Sequence, residues 1–536
     1  MIYLDYAATT PIAPEVFEAM LPYLRPDGVH GNPASTHGPG FAARAAVEQA
    51  RAQVAALVGA EPAEIIWTSG ATEANNLAIK GALEFRGFPK NGRAVHIVTS
   101  KTEHKCVLDT CRHLETLGAR VSYLKPDGPG GTVTPEAVLA AITPDTALVS
   151  LMWVNNEIGA VNDIARLAPL LRARGVMLHV DAAQAAGKLA IDLRSLPVDL
   201  LSLSAHKLYG PKGVGALFVR RKPRARLSPQ LHGGGHEQGM RSGTLATHQV
   251  VGMGAACALA AERLTADAAQ FARLREALWS HLKAIPGVLR NGPDGSAGQP
   301  AAPHLLNLSF PGVEGEALRA ALPGLAVSSG SACSSATAEP SYVLRALGRD
   351  DETANASLRF SFGRSTTLAD IEQAAAAVIA QVARLGALSP LQPQQSYAPI
   401  ANALDESAGN PYGYGEAIWR LFRETPNAGA FPDATPDVVV AEAGTPAARS
   451  VLQLSLRLDG ERVAEARFRV YGCPTTIAVG AWLAAWAEGK TVAELAALKA
   501  PAIRAALEIP EDRAHCALLG EDALRAVLAR HKEEMA

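Results

Sequence analysis

Ser202-Leu203-Ser204-Ala205-His206-Lys207-Leu208-Tyr209-Gly210-Pro211-Lys212-Gly213-Val214-Gly215 is the stretch on which the reading of this chain turns. An apolar run, Val198 to Leu203, leads into it and predicts a buried strand. A lysine just past a buried strand is costly unless it faces water or reacts. Most isolated loop lysines are simply solvated. Lys207 keeps different company. Ser204 and His206 flank it at a spacing that can hold an anion, and Gly210, Gly213 and Gly215 follow where backbone must approach another group closely.

The chain has 536 residues, enough for roughly two to four domains. With 48% hydrophobic and 19% charged residues it can bury a large core. A formal net charge of −2 leaves no basic footprint for nucleic acid. No apolar run approaches ~20 residues, which argues against a membrane span. Met1-Ile2-Tyr3-Leu4-Asp5-Tyr6 has neither a basic n-region nor an apolar h-region and does not read as a secretory signal. The six cysteines, at 106, 111, 257, 333, 473 and 516, lie far apart without a C-x-x-C pair. That pattern fits a reducing compartment with working thiols rather than a disulfide framework, so the expected location is the cytoplasm.

Ile65-Ile66-Trp67-Thr68-Ser69-Gly70-Ala71-Thr72 reads as a strand and turn passing into a helix, whose start offers free N–H groups and positive dipole. The same string also serves as an ordinary N-cap. Val95 to Ser100 predicts a strand followed by Glu103-His104-Lys105, and Ala147 to Val154 another, followed by Asn155-Asn156-Glu157. Val176 to Val180 ends in Asp181, with Gln184 just beyond. A carboxyl there is near the interior and must be paired or protonated. Strands alternate with helical segments at intervals of roughly 25–35 residues, which predicts βαβ units and a mostly parallel sheet. Each candidate residue follows a strand, where open α/β sheets bind ligands. His232-Gly233-Gly234-Gly235-His236 is too glycine-rich to present a helical metal face. Cys333 lies in Ser328-Ser329-Gly330-Ser331-Ala332-Cys333-Ser334-Ser335, a composition that predicts an exposed, mobile thiol rather than the usual inert core cysteine. Arg359 sits in an alternating apolar strand, where a bidentate carboxylate ligand would satisfy it.

These segments together resemble the class V, fold-type I enzymes that use pyridoxal phosphate, and within them the cysteine desulfurases of the NifS/IscS type. Asp5-Tyr6-Ala7-Ala8-Thr9-Thr10-Pro11 and Gly31-Asn32-Pro33-Ala34-Ser35 are similar to signatures of the same group. The resemblance covers about residues 1–385. It implies that Lys207 forms a Schiff base with the cofactor and that Asp181 meets its pyridinium nitrogen. Ala71, Thr72, Ser204 and His206 would bind its phosphate, His104 would stack on its ring and handle protons, and Asn155 and Gln184 would face its phenolic oxygen. Thr244, in Arg241-Ser242-Gly243-Thr244, would reach the cofactor of a neighbouring subunit, which implies a homodimer with shared active sites. Arg359, with Asn155, would hold the substrate carboxylate.

Pro-, Gln- and Ser-rich sequence from 386 to 412 reads as a linker. Pattern then returns. Leu452-Gln453-Leu454-Ser455-Leu456-Arg457-Leu458, the turn Asp459-Gly460, and Ala464 to Val470 predict a hairpin. Tyr471-Gly472-Cys473 precedes a predicted helix from about Ile477 to Glu488, and His515-Cys516 opens the last one. Residues 413–536 resemble iron–sulfur cluster scaffolds of the IscU/NifU N-terminal type. The chain departs from that family at Ala448, where a ligand cysteine is expected, at Ser450 in place of an aspartate, and at Ile509-Pro510-Glu511-Asp512-Arg513 in place of Leu-Pro-Pro-Val-Lys. Cys473, His515 and Cys516 remain as ligands for zinc or, with outside help, a cluster. The alternative is a fold kept as a sulfur acceptor or docking module.

The expected architecture is therefore α/β: a fold-type I unit over 1–385, with a mostly parallel large domain at about 15–260 and a smaller α+β domain at about 261–385 joined by the N-terminal segment. A linker over 386–412 and a small α+β scaffold-like domain over 413–536 complete it. The expected reaction converts L-cysteine to L-alanine and leaves a persulfide on Cys333, with the sulfur destined for iron–sulfur cluster assembly through the fused domain, external assembly proteins or another acceptor. Rival readings are a selenocysteine lyase or an aminotransferase of the same fold, and a catalytically idle scaffolding fusion.

Overall fold

The computed structural model describes every residue except 91, 93, 129, 297–298, 330–338, 393–408, 434 and 536. Seven strands form the central sheet. Their spatial order is Ile65–Thr68, Gly215–Val219, Leu200–Ser204, Met177–Asp181, Thr146–Ser150, His96–Ser100 and Arg120–Leu124. From Leu200–Ser204 outward to Arg120–Leu124 all neighbours pair in parallel, and Gly215–Val219 runs antiparallel to both of its partners. The inner strands are buried along almost their whole length, so they appear in the sequence as apolar runs rather than alternations. Thr146–Ser150 stops short of the expected Val154, because residues 151–155 leave the sheet to build the rim above it.

The 36-residue helix Thr247–Leu282 carries the chain out of this domain. Beyond it, Ser357–Ser361, Leu305–Ser309 and Leu289–Asn291 form an antiparallel sheet. The N-terminal strand Ile2–Tyr3 pairs with Leu325–Ala326, so the opening segment is fastened to the smaller domain. Helix Leu368–Leu388 is long and apolar enough to cross a membrane by length and composition, contrary to the reading that no run is long enough. It is half-buried here, and Ile371, Ala374, Ala375, Val378 and Leu385 belong to the core, as in the core helix of a folded domain.

The C-terminal sheet is Val438–Thr445, Ser450–Asp459 and Arg462–Tyr471, all antiparallel, with helices Pro474–Ala487 and Ala514–Met535 packed against it. Val438–Thr445 has no counterpart in the sequence reading. Its burial is irregular and mostly partial or exposed, so it carries no period-two signal.

The linker also differs from expectation. Its described ends are fastened rather than free. The Arg469 guanidinium donates to the carbonyls of Ser389 and Gln392, and Gln392 Nε2 donates to Pro311 O at 3.1 Å. On the far side, Tyr412 Oη donates to Arg319 O at 2.7 Å and Tyr414 Oη to Glu316 at 2.6 Å. Residues 393–408 lie outside the described set. The C-terminal module thus seats on the smaller domain, and apolar residues of both (Leu318, Leu385, Trp419, Phe422 and Ile477 among them) belong to a single buried cluster. Arg513 clamps the contact with two hydrogen bonds to Glu316, at 2.7 and 3.0 Å.

Candidate active site

A cavity of about 530 Å³ opens at the carboxyl ends of the parallel strands. Met177–Asp181 delivers Asp181 to it. Leu200–Ser204 and the 3-10 turn Ala205–Lys207 deliver Ser204, His206 and Lys207. Ala71, Thr72, His104, Gln184 and Arg359 also face it, so nine of the expected residues meet in one space. Asn155 and Thr244 are not on its wall, and Cys333 lies outside the described residues.

Lys207 Nζ donates to the carbonyls of Ala7 and Ala8 at 2.6 and 2.7 Å, which places the N-terminal turn as one wall of the cavity. Beneath it, Lys188 Nζ donates to Lys207 O at 2.8 Å, and burial together with the Lys207 charge pushes Lys188 down to about 7. His206 is pushed down to about 4, by burial first and then by Lys207, Lys212 and Lys188, so its imidazole is neutral near pH 7.

Asp181 is 6% exposed. One of its oxygens accepts from Ala183 N at 2.9 Å and the other from Asn75 Nδ2 at 2.7 Å, leaving lone pairs on the cavity side. Asn75 also donates to Cys106 Sγ at 3.1 Å, and Cys106 Sγ stands 3.0 Å from His104 Nδ1. His104 is the N-cap of helix Lys105–Thr116, where Nδ1 accepts from Cys106 N at 3.2 Å. A nitrogen that accepts carries no proton, so these bonds assign the neutral ring's proton to Nε2.

The helix Ala71–Phe85 begins at Gly70 without a side-chain cap, and its first residues face the cavity. Uncapped N–H groups and the dipole there favour an anion. Gly70 has φ 154°, and the neighbouring Gly215 fits only because it lacks a side chain: a Cβ would stand 2.6 Å from Gly70 Cα and 2.5 Å from Leu203 O. The glycine-rich loop is held from below by Glu237, which accepts from Arg51 at 2.7 and 2.9 Å and from Trp67 N at 2.9 Å.

Arg359 is 3% exposed. Its guanidinium is not waiting wholly for substrate, as the sequence implied: it donates to Asp5 at 2.8 Å and to Asn156 O at 2.9 Å. Its Nε is buried without a hydrogen-bond partner. Asn155 departs further from expectation. Its amide donates to Thr102 O at 2.8 Å, and its oxygen accepts from Glu157 N and Ile158 N, both at 2.9 Å. The side chain is thus engaged in shaping the turn, and Asn156 lines the cavity instead. Gln184 Nε2 donates a hydrogen bond to Ala7 O at 2.9 Å. Asn75, Cys106 and Asp5 were missed as site residues. Asn75 was legible in part, because it lies four residues after Ala71 on the same helical face.

These features fit pyridoxal phosphate. An amine, an anchored carboxylate and an uncapped helix start surround one cavity, with the Arg359 side chain on its wall.

The second expected site lies in the C-terminal module. Cys473 is the N-cap of helix Pro474–Ala487, and Cys516 lies in the first turn of Ala514–Met535. Their sulfurs are 3.8 Å apart, and Thr476 Oγ1 is 3.4 Å from each. His515 Nε2 is 3.4 Å from Cys516 Sγ. Among the described residues, no three His, Cys, Asp or Glu side chains form a group able to hold a metal, so the expected Cys473, His515 and Cys516 set does not close around one point. Ala448 ends the short turn Pro446–Ala448 and is exposed. Cys473 is 8% exposed and Cys516 fully buried.

Residues 2–374 match the family model for class-V aminotransferases. The chain belongs to the class-V aminotransferase family. Residues 413–536 match the NifU-like N-terminal domain. This class-V chain is 57% identical to the cysteine desulfurase IscS of Pseudomonas aeruginosa over 391 residues, 73% of this chain and 95% of the relative. It is 56% identical to the cysteine desulfurase IscS of Azotobacter vinelandii over the same shares. Among solved structures, a NifS-like protein aligns with TM-score 0.65 at 33% identity, over 72% of this chain and 100% of the other. SspA in complex with cysteine aligns with TM-score 0.59 at 37% identity, over 68% and 99%.

Proposed function

We propose that this class-V chain is a pyridoxal-phosphate-dependent cysteine desulfurase that converts L-cysteine to L-alanine, leaves the sulfur as a persulfide on Cys333, and supplies it to iron–sulfur cluster assembly. The observation that carries the reading is the convergence of Lys207, Asp181, the uncapped start of Ala71–Phe85 and Arg359 on one cavity. Bound there, the cofactor supplies an electron sink for charge that develops at Cα of the amino acid.

The residues divide the remaining work. Lys207 holds the cofactor and then carries the Cα proton. Asp181, steadied by Asn75 and Ala183 N, faces the ring nitrogen. Ala71, Thr72, Ser204 and neutral His206 receive the phosphate, joined by Thr244 from a second copy of the chain in a homodimer. His104 presents its Nε2 proton to the ring and the reacting atoms. Asn155 keeps the turn that presents Asn156, and Gln184 approaches the phenolic oxygen with its second amide proton. Arg359 takes the substrate carboxylate through the nitrogen that has no partner. Cys333 is the nucleophile toward the substrate sulfur.

The C-terminal module receives that sulfur at Cys473, and its burial requires the module to lift from the smaller domain first. Cluster or zinc binding at Cys473, Cys516 and His515 needs a further donor from outside the chain, since Ala448 supplies none. The five cysteines described are all free thiols, which agrees with a cytoplasmic location.

Mass spectrometry after brief exposure to L-cysteine and an alkylating trap tests the proposal. Added sulfur is expected on Cys333 in the parent. Cys333→Ser is expected to keep cofactor absorbance and lose alanine and sulfide production. Undiminished production in that variant would reject the assignment. Borohydride reduction and peptide mapping are expected to place the cofactor on Lys207, and label on Lys212 instead would reject Lys207.

A further inference from the structure

Most of the chain's other thiols are poor candidates for chemistry. Cys111 and Cys257 are fully buried, and burial pushes both up to about 12. Cys473 and Cys516 differ because they face each other. Their 3.8 Å separation is sulfur–sulfur contact on two helix starts, and a disulfide needs about 2.05 Å. The backbone around them is fixed: Cys473 caps one helix, Cys516 lies in the first turn of the other, and both helices pack on the same sheet. The exposed Ala448 leaves no third thiol to complete a ligand set. Thr476 Oγ1 stands 3.4 Å from both sulfurs.

We propose that Cys473 and Cys516 form a redox-active dithiol that discharges sulfane sulfur as sulfide. This rests on the reading that sulfur reaches Cys473. In the step, the Cys516 sulfur attacks the Cys473 Sγ of a persulfide. A Cys473–Cys516 bond forms, the bond between Cys473 Sγ and the outer sulfur breaks, and the Cys516 proton leaves with that outer sulfur as hydrosulfide. The sulfane sulfur is reduced by two electrons, and the two cysteine sulfurs are oxidised to a disulfide. An external dithiol reductant returns the pair to thiols and is itself oxidised to a disulfide. His515 Nε2, 3.4 Å from Cys516 Sγ, stands where it can accept the Cys516 proton in transit. A module built this way hands on sulfide, where a three-thiolate site would retain a cluster.

The test is a single turnover of the full chain with its cofactor and one equivalent of L-cysteine, without added thiol, followed by alkylation, peptide mapping and sulfide measurement. The parent is expected to yield a linked Cys473–Cys516 peptide, two hydrogens lighter than the free thiols, with one sulfide released per link. Cys516→Ser is expected to retain sulfur on Cys473, form no link, and release sulfide only at the level of Cys473→Ser. A parent that keeps persulfide on Cys473 with Cys516 alkylated overturns the proposal. Should Cys473 carry no sulfur even in Cys516→Ser, the relay from the catalytic half has failed, and inorganic polysulfide replaces cysteine as donor. Linkage with sulfide release then supports the dithiol, and its absence overturns it.

Discussion

Asn75 joins the two groups that flank the cavity floor. It donates to the Asp181 carboxylate and to the Cys106 sulfur, which in turn meets His104. Hydrogen bonds to charged groups contribute about 1.5–3 kcal/mol and neutral ones about 0.5–1.5. Asn75→Ala is therefore expected to lower kcat by roughly 10- to 100-fold, with weaker cofactor binding, measured by turnover and by cofactor titration. Cys106→Ala removes only the thiol, and the backbone N–H of residue 106 still holds His104 Nδ1. The expected loss in kcat is about three- to tenfold with KM nearly unchanged. A KM effect alone would contradict a role through His104. Lys207 and Asp181 were legible because a charge just past an apolar run stands out, and Arg359 because a guanidinium inside an alternating apolar strand does. Asn75 was legible only in part and Cys106 not at all, because their meaning lies in partners 106 and 31 residues away in sequence.

The close approach of Gly70 and Gly215 sets the floor for the helix that starts at Ala71. Gly215 begins the antiparallel strand beside Leu200–Ser204 and touches Gly70. Gly215→Ala would put a methyl 2.5 Å from Leu203 O and 2.6 Å from Gly70 Cα, both backbone atoms with no rotamer to yield. Overpacking of this kind costs about 1–3 kcal/mol. The variant is expected to melt several degrees lower and to bind the cofactor more weakly, by calorimetry and equilibrium titration, and an unchanged affinity would mean the helix start does not move. Buried parallel strands were legible from their apolar runs. Val438–Thr445 opens with the apolar run Val438-Val439-Val440-Ala441 but breaks off into Glu442, Gly444 and Thr445 with irregular burial, so no alternation marks it as a half-buried edge strand. The linker composition reads as a break in pattern, and composition is silent on which of its groups find partners; its described ends do find them.

At the scale of the whole molecule, docking of the C-terminal module depends on Glu316. Burial acts to raise that carboxyl, but the Arg513 and Tyr414 donors outweigh it and hold it below its ordinary 4.5. A carboxyl whose docked pKa is depressed stabilises docking above its free value, and that contribution is lost as pH falls through the docked value. Docking is thus expected to weaken below about pH 4.5, read as a larger radius of gyration by X-ray scattering. The Arg513 pair is bidentate and only partly exposed, so after solvent screening it contributes about 1–2 kcal/mol. Glu316→Ala is expected to speed alkylation of Cys473 by about 5- to 30-fold near pH 7. An unchanged rate would separate thiol access from docking.

The fastened linker has one more consequence. Pro311, Arg319 and Glu316 of the catalytic half are already engaged by Gln392, Tyr412, Tyr414 and Arg513 of the same chain. Any free protein that docked on this same ground would compete with an occupant that never diffuses away. Against such a competitor the catalytic half would be insulated: its abundance, however it varied in the cell, would change little of what this surface touches.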